Sequence, residues 1–69
     1  MFSFSFKRRK SGKFEIYQSE SNKEYYWRLK SANGEIIAVS EGYKEEAGAR
    51  NGIEAIKEIA KTSKVVFLN

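Results

Sequence analysis

"YYWRLKSANGEII", residues 25–37, alternates large apolar or aromatic side chains with basic ones, meets Asn-Gly, and ends on two isoleucines. Such alternation is the period-2 mark of a half-buried strand, and Asn-Gly between two such runs marks a hairpin turn. Two turns fit these residues. A two-residue type I′ turn at Asn33-Gly34 sets Ala32 opposite Glu35, and so Leu29 opposite Ala38 and Trp27 opposite Ser40. A three-residue loop, Ala32-Asn33-Gly34 with Gly34 left-handed, sets Leu29 opposite Ile37 and Trp27 opposite Val39. One residue of slip moves every side chain to the other face. The second arrangement brings the larger apolar groups together and is the expected one. Its dry face reads Phe14, Ile16, Tyr25, Trp27, Leu29, Ile37 and Val39.

The neighbouring segments extend the same pattern. "KFEIYQS" (13–19) sets Phe14 and Ile16 against Glu15 and Tyr17, a strand, and "SESNK" is polar turn material. "EYYWRLKS" (24–31) and "EIIAVS" (35–40) are the second and third strands. "EEAGARNGIEAIKEIAK" (45–61) changes period: at 100° per residue Ala49, Ile53, Ile56 and Ala60 share one stripe, flanked by Gly52 and Ile59. Glu45 and Glu46 in the first turn and Lys61 in the last match the helix dipole. Gly48 and Gly52 each cost about 1 kcal/mol against alanine inside a helix. Close approach to the sheet explains them, and a small-residue seam for a second helix is the other reading. "KVVFLN" (64–69) reads as a short apolar strand that must pair with a sheet edge, its own or another chain's. The order is β-β-β-α-β in the α+β class, an antiparallel sheet with one helix on one face. "FSFSF" (2–6) is either an additional edge strand, folded back through "KRRKSGK", or a tail without fixed structure.

Sixty-nine residues make one small domain, which buries only about 60% of its unfolded surface and has a thin core unless staples or a partner add to it. Cysteine, histidine and aspartate are all absent. That excludes disulfides, thiolate metal sites and imidazole chemistry, and leaves self-association as the available staple. The start is not patterned as a signal peptide, and no run approaches the roughly 20 apolar residues of a membrane span, so a cytoplasmic protein is expected. The net charge is +4, and its location matters more than its size. Lys7, Arg8, Arg9, Lys10 and Lys13 stand in residues 1–13 without an acid, while the remaining eight bases face all nine glutamates. A domain gripping phosphate with its folded face usually keeps its excess of Lys and Arg there. Here the excess lies in the tail.

Taken together, "GKFEIYQS", "YYWRLKSANGEIIAVSEGYK" and "GARNGIEAIKEIA" resemble the YegP-like family, a small domain of unknown function widespread in bacteria. The resemblance covers roughly residues 12–67 and rests on Phe14, Ile16, Tyr17, Trp27-Arg28-Leu29, Asn33-Gly34, Ser40, Gly42-Tyr43 and Gly52-Ile53. It implies a β3-α-β unit, present in tandem or as paired subunits, joined into one sheet with exchanged C-terminal strands. For a chain with one unit it implies a homodimer, with Val65, Val66 and Phe67 at the interface. Residues 12–69 then form the domain and 1–11 an extension beyond the family pattern. The family brings no activity with it.

The residues themselves offer no nucleophile paired with a base. Carboxylates at 45/46 and 54/58 fall on a solvated helix face, and "NGEIIAVSEG" lacks the glycine spacing and lysine of a phosphate loop. A non-enzymatic module without cofactor or metal is expected. The alternative is a weak, sequence-tolerant binder of nucleic acid or another polyanion. Its candidate residues are Tyr17, Tyr26, Arg28 and Lys30 on the polar sheet face, with Lys7, Arg8, Arg9 and Lys10 in the tail. Bases stack on such aromatics at about 1–3 kcal/mol each, yet tyrosine is also an ordinary strand former on a solvated face, and Glu15 beside them weakens an anion site. The tail's phenylalanines and charges equally suit an anionic membrane surface. Gly42-Tyr43-Lys44 reads as the corner from strand to helix, with Tyr43 covering the sheet's end, ahead of ligand contact.

Overall fold

The computed structural model describes residues 11–69; the expectations for "FSFSF" and for Lys7, Arg8, Arg9 and Lys10 lie outside them. Strands β1 (Gly12–Gln18), β2 (Tyr25–Ser31) and β3 (Ile36–Val39) form an antiparallel sheet in the order β1-β2-β3, followed by helix α1 (Glu46–Thr62). The helix lies on β1 and β2 and does not reach β3. The fold is α+β, with the strand and helix bounds within a residue or two of those expected. Between β1 and β2 the register sets Phe14 opposite Leu29 and Ile16 opposite Trp27. Those four face the helix, because the intervening residues are the polar ones.

The hairpin carries both an expectation met and one overturned. Its loop is Ala32-Asn33-Gly34: Ser31 N–H donates to the Glu35 carbonyl at 2.9 Å, Gly34 N–H donates to the Ser31 carbonyl at 2.9 Å, and Gly34 sits at φ +93°. Beyond Lys30, which stands opposite Ile36, a β-bulge leaves Ile37 without a partner, so Leu29 pairs with Ala38 and Arg28 with Val39. The expected pairs Leu29–Ile37 and Trp27–Val39 do not form. Trp27 instead meets Ser40, whose N–H donates to the Trp27 carbonyl and whose hydroxyl accepts the Trp27 N–H, both at 2.9 Å. The serine side chain stands in for a backbone acceptor just where β3 ends. Ile37 and Val39 leave the dry face as a result, and are 61% and 62% exposed. Gly34→Ala should cost about 1 kcal/mol or more, measured by chemical denaturation. No atom lies within 4 Å of the added methyl, so the cost is the left-handed φ alone.

The core is small. Trp27 (6% exposed), Ala49 (0%) and Ile53 (7%) are its buried residues, with Phe14, Ile16, Tyr25, Leu29 and Tyr43 half-buried around them. Phe14 meets Trp27 edge-on, ring centroids 5.3 Å apart and planes at 81°, a favourable aromatic geometry. Tyr43 is fixed by a two-way backbone bridge to Tyr25, at 2.7 and 2.8 Å. Its ring then lies along the glycine face of α1. A methyl on Gly52 would overlap the Tyr43 hydroxyl and come within 3.3 Å of Trp27 Nε1, whereas one on Gly48 would meet Tyr43 Cδ2 at 3.2 Å. The two glycines therefore seat Tyr43, and Gly52 also seats the edge of Trp27. Gly52→Ala should destabilise by about 1–3 kcal/mol through overpacking, despite the roughly 1 kcal/mol that alanine returns to a helix. Gly48→Ala should be close to neutral in the same denaturation experiment.

The helical stripe is only half used. Ala49 and Ile53 are buried, but Ile56, Ile59 and Ala60 are exposed. Seventeen residues of helix span about 25 Å, and the turns after Ile53 bury none of their apolar side chains. The segment 64–69 forms no strand with its own sheet.

Candidate functional site

Two surfaces carry the candidate residues: the outer sheet face, and the end of α1 with the segment that follows. On the outer face, strand alternation places Lys13, Glu15 and Tyr17 of β1 opposite Lys30, Arg28 and Tyr26 of β2. Of the residues expected on a binding face, Tyr17, Tyr26, Arg28 and Lys30 are thus brought together. Tyr17 and Tyr26 stack with centroids 5.7 Å apart and planes at 18°, and the Arg28 guanidinium lies 5.1 Å from the Tyr17 centroid. Asn22 Nδ2 donates to the Tyr26 hydroxyl at 2.9 Å. The tyrosines are engaged with their neighbours, so a stacking base has to compete with contacts already made.

Glu15 is the organising group, and Lys13, read from sequence only as part of the tail's charge, belongs to the same cluster. Glu15 Oε1 accepts from Arg28 Nε at 2.8 Å and lies 3.7 Å from Lys30 Nζ, while Oε2 lies 3.4 Å from Lys13 Nζ. The hydrogen bond from Arg28 is the largest influence and, with help from Lys13 and the charge of Lys30, holds the Glu15 carboxyl below the ordinary glutamate range against the opposing desolvation. Exposed ion pairs contribute little individually. The sign of the pH effect is nonetheless fixed. A folded-state pKa below the unfolded one gives stability that is complete above about pH 4.3 and disappears as pH falls through the folded value. Glu15→Gln should therefore lose less stability than the parent chain between pH 5 and pH 3, as followed by thermal melts. Equal losses would remove Glu15 from the acid response.

The second surface is apolar. Val65 is 99% and Phe67 88% exposed, and Val66 and Leu68 are exposed with them. Ile56 and Ile59 lead into this segment along α1, and Ile36 and Val39 are exposed on β3, whose far edge has no strand beside it among the described residues. The sequence marked Val65, Val66 and Phe67; it did not mark Ile36, because the expected register put Ile37 and Val39 on the dry face and gave Ile36 no part in it. No helix among the described residues is long and apolar enough to cross a membrane, and no group of acidic side chains there has the spacing of a metal site.

Comparison with known proteins places this arrangement. Residues 20–66 match the family described as a domain of unknown function (DUF1508). A UPF0339 protein of Treponema denticola is 50% identical over 56 residues, covering 81% of this chain and 95% of that one. The solution structure of a Haloferax volcanii protein superposes with a TM-score of 0.74 at 34% identity, over 84% of this chain and 97% of that one. A solution structure from Agrobacterium tumefaciens gives 0.68 at 45% identity, over 84% and 92%. The match spans both hairpin strands, the Tyr43 corner and the glycine-bearing helix, and on that extent the chain belongs to the DUF1508 family, the YegP-like proteins of unknown function.

Proposed function

We propose that this chain is a non-enzymatic, cytoplasmic module that works as a homodimer, residues 12–69 forming the domain and residues 1–11 an extension. Each copy lends residues 64–68 to the other's β3 edge. The observation that carries this reading is the exposure of Val65 and Phe67 after a helix whose last isoleucines, Ile56 and Ile59, are themselves exposed. An apolar segment of extended chain and an open, apolar strand edge are complementary in shape and hydrogen bonding. At roughly 1.5–3 kcal/mol for each buried apolar side chain, four per arm give about 6–12 kcal/mol at most. Association costs about 4–15 kcal/mol, a range that one arm only matches and that two reciprocal arms, at about 12–24 kcal/mol together, outweigh over most of it. The test is thermal unfolding against protein concentration. A dimer gains about 1.4 kcal/mol per tenfold concentration, a rise of a few degrees in midpoint. A midpoint that stays flat across a hundredfold range contradicts it.

A second reading has its own support. Lys13, Arg28 and Lys30 surround one carboxylate, and the run Lys7, Arg8, Arg9 and Lys10 precedes them in sequence. On this reading the protein also binds nucleic acid or another polyanion weakly and without sequence preference, chiefly through the tail. Binding of a mixed oligonucleotide should weaken steeply with salt, and removal of residues 1–12 should abolish most of it.

A further inference from the structure

We propose that Lys13, Arg28 and Lys30 form a backbone-phosphate site for single-stranded nucleic acid, with Glu15 as its built-in, displaceable competitor. The inference rests on the polyanion reading and assigns it a place on the sheet. Three cations converge on one carboxylate, leaving the cluster at a formal +2. Only the Arg28 contact, at 2.8 Å, is a hydrogen bond; the two lysines stand off at 3.4 and 3.7 Å. Arg28 hydrogen-bonds through Nε alone while its guanidinium lies over the Tyr17 ring, and among the described residues neither of its Nη groups donates a hydrogen bond. A guanidinium with its Nη donors open, flanked by two ammonium groups, is the donor set that phosphate oxygens accept in bidentate fashion. The carboxylate supplies one negative charge where a phosphate would sit, and it can swing away because its side chain is partly exposed.

The neighbouring strand sets the class of ligand. Ile36 stands directly opposite Lys30 and Val39 directly opposite Arg28, so each shares a face with its partner at one strand spacing, about 4.8 Å. Both isoleucine and valine there are exposed. A cationic row beside an apolar row matches a single strand, with its anionic backbone and unpaired bases. An anionic bilayer offers the same two chemistries. However, short β-branched side chains do not extend past neighbouring lysines to reach acyl chains, and so the nucleic acid is favoured.

The test uses the full chain and a fluorescently labelled single-stranded oligonucleotide of mixed sequence, followed by anisotropy at two salt concentrations. Glu15→Gln should bind roughly three- to tenfold more tightly at low salt and steepen the salt dependence by about one unit, and Lys30→Gln should do the reverse. Binding by the parent chain that neither substitution changes would overturn this site while leaving tail-mediated polyanion binding intact. Absence of binding in the parent chain and in Glu15→Gln would overturn both. Thermal melts verify that each variant folds, and Lys30→Gln carries the test alone if Glu15→Gln does not. Tightening of Glu15→Gln on phosphatidylglycerol vesicles, with none on the oligonucleotide, would overturn the assignment to nucleic acid.

Discussion

Trp27→Ala is expected to unfold the protein at room temperature. Truncating a buried tryptophan costs about 3–5 kcal/mol, and a chain of this size has roughly 3–10 kcal/mol in total. The loss is concentrated here because Trp27 is one of three buried side chains among the described residues, meeting Phe14 edge-on and lying close to Gly52 within the helix. Trp27→Phe should be far milder. Its ring keeps the contact with Phe14, and it removes an indole N–H that is buried without an acceptor among the described residues. An unsatisfied buried donor costs about 1–3 kcal/mol, which offsets part of the lost volume. Far-ultraviolet circular dichroism and urea titration check both variants, and a cooperatively folded Trp27→Ala protein would show that the core lies elsewhere.

Val65→Asp should also unfold the protein, although Val65 touches almost nothing within its own chain. In an isolated chain a charge at a fully exposed position changes stability by less than about 0.5 kcal/mol. In an exchanged dimer the same charge enters the partner's sheet twice, by symmetry, and each burial costs several kcal/mol. No complete monomer core remains to fall back on, since α1 leaves β3 uncovered and Ile56 and Ile59 in water. The expected product is therefore unfolded chain and not a stable monomer. A Val65→Asp protein that melts like its parent would separate the C-terminal segment from folding altogether.

The parts of this fold that were legible in the sequence are those governed by local periodicity. Alternation in "KFEIYQS" and "YYWRLKS" located two strands and their inner faces, and the three-residue loop followed from Gly34. The bulge at Ile37 was not legible. Nothing at that position marks it as glycine or asparagine would, and what selects it is the distant pairing of Ser40 with Trp27. Placing the largest apolar groups inward failed for the same residues, because Ala38 and Ser40 take those places. Tyr43 was legible as a corner residue, but its seat on Gly48 and Gly52 required the helix to be in position. At the outer face the residue types were legible and the contacts were not. Glu15 looked like a weakness of the anion site, and the geometry makes it the hub to which Lys13, Arg28 and Lys30 are tied.

Whether two chains complete one another through their C-terminal segments is read by sedimentation equilibrium at micromolar concentration, on the parent chain and on a chain ending at Lys64. A folded species of twice 8.0 kDa is expected for the parent chain, and a smaller, unfolded chain for the shortened one. A folded 8.0 kDa parent, or a shortened chain as well folded as the parent, would contradict it.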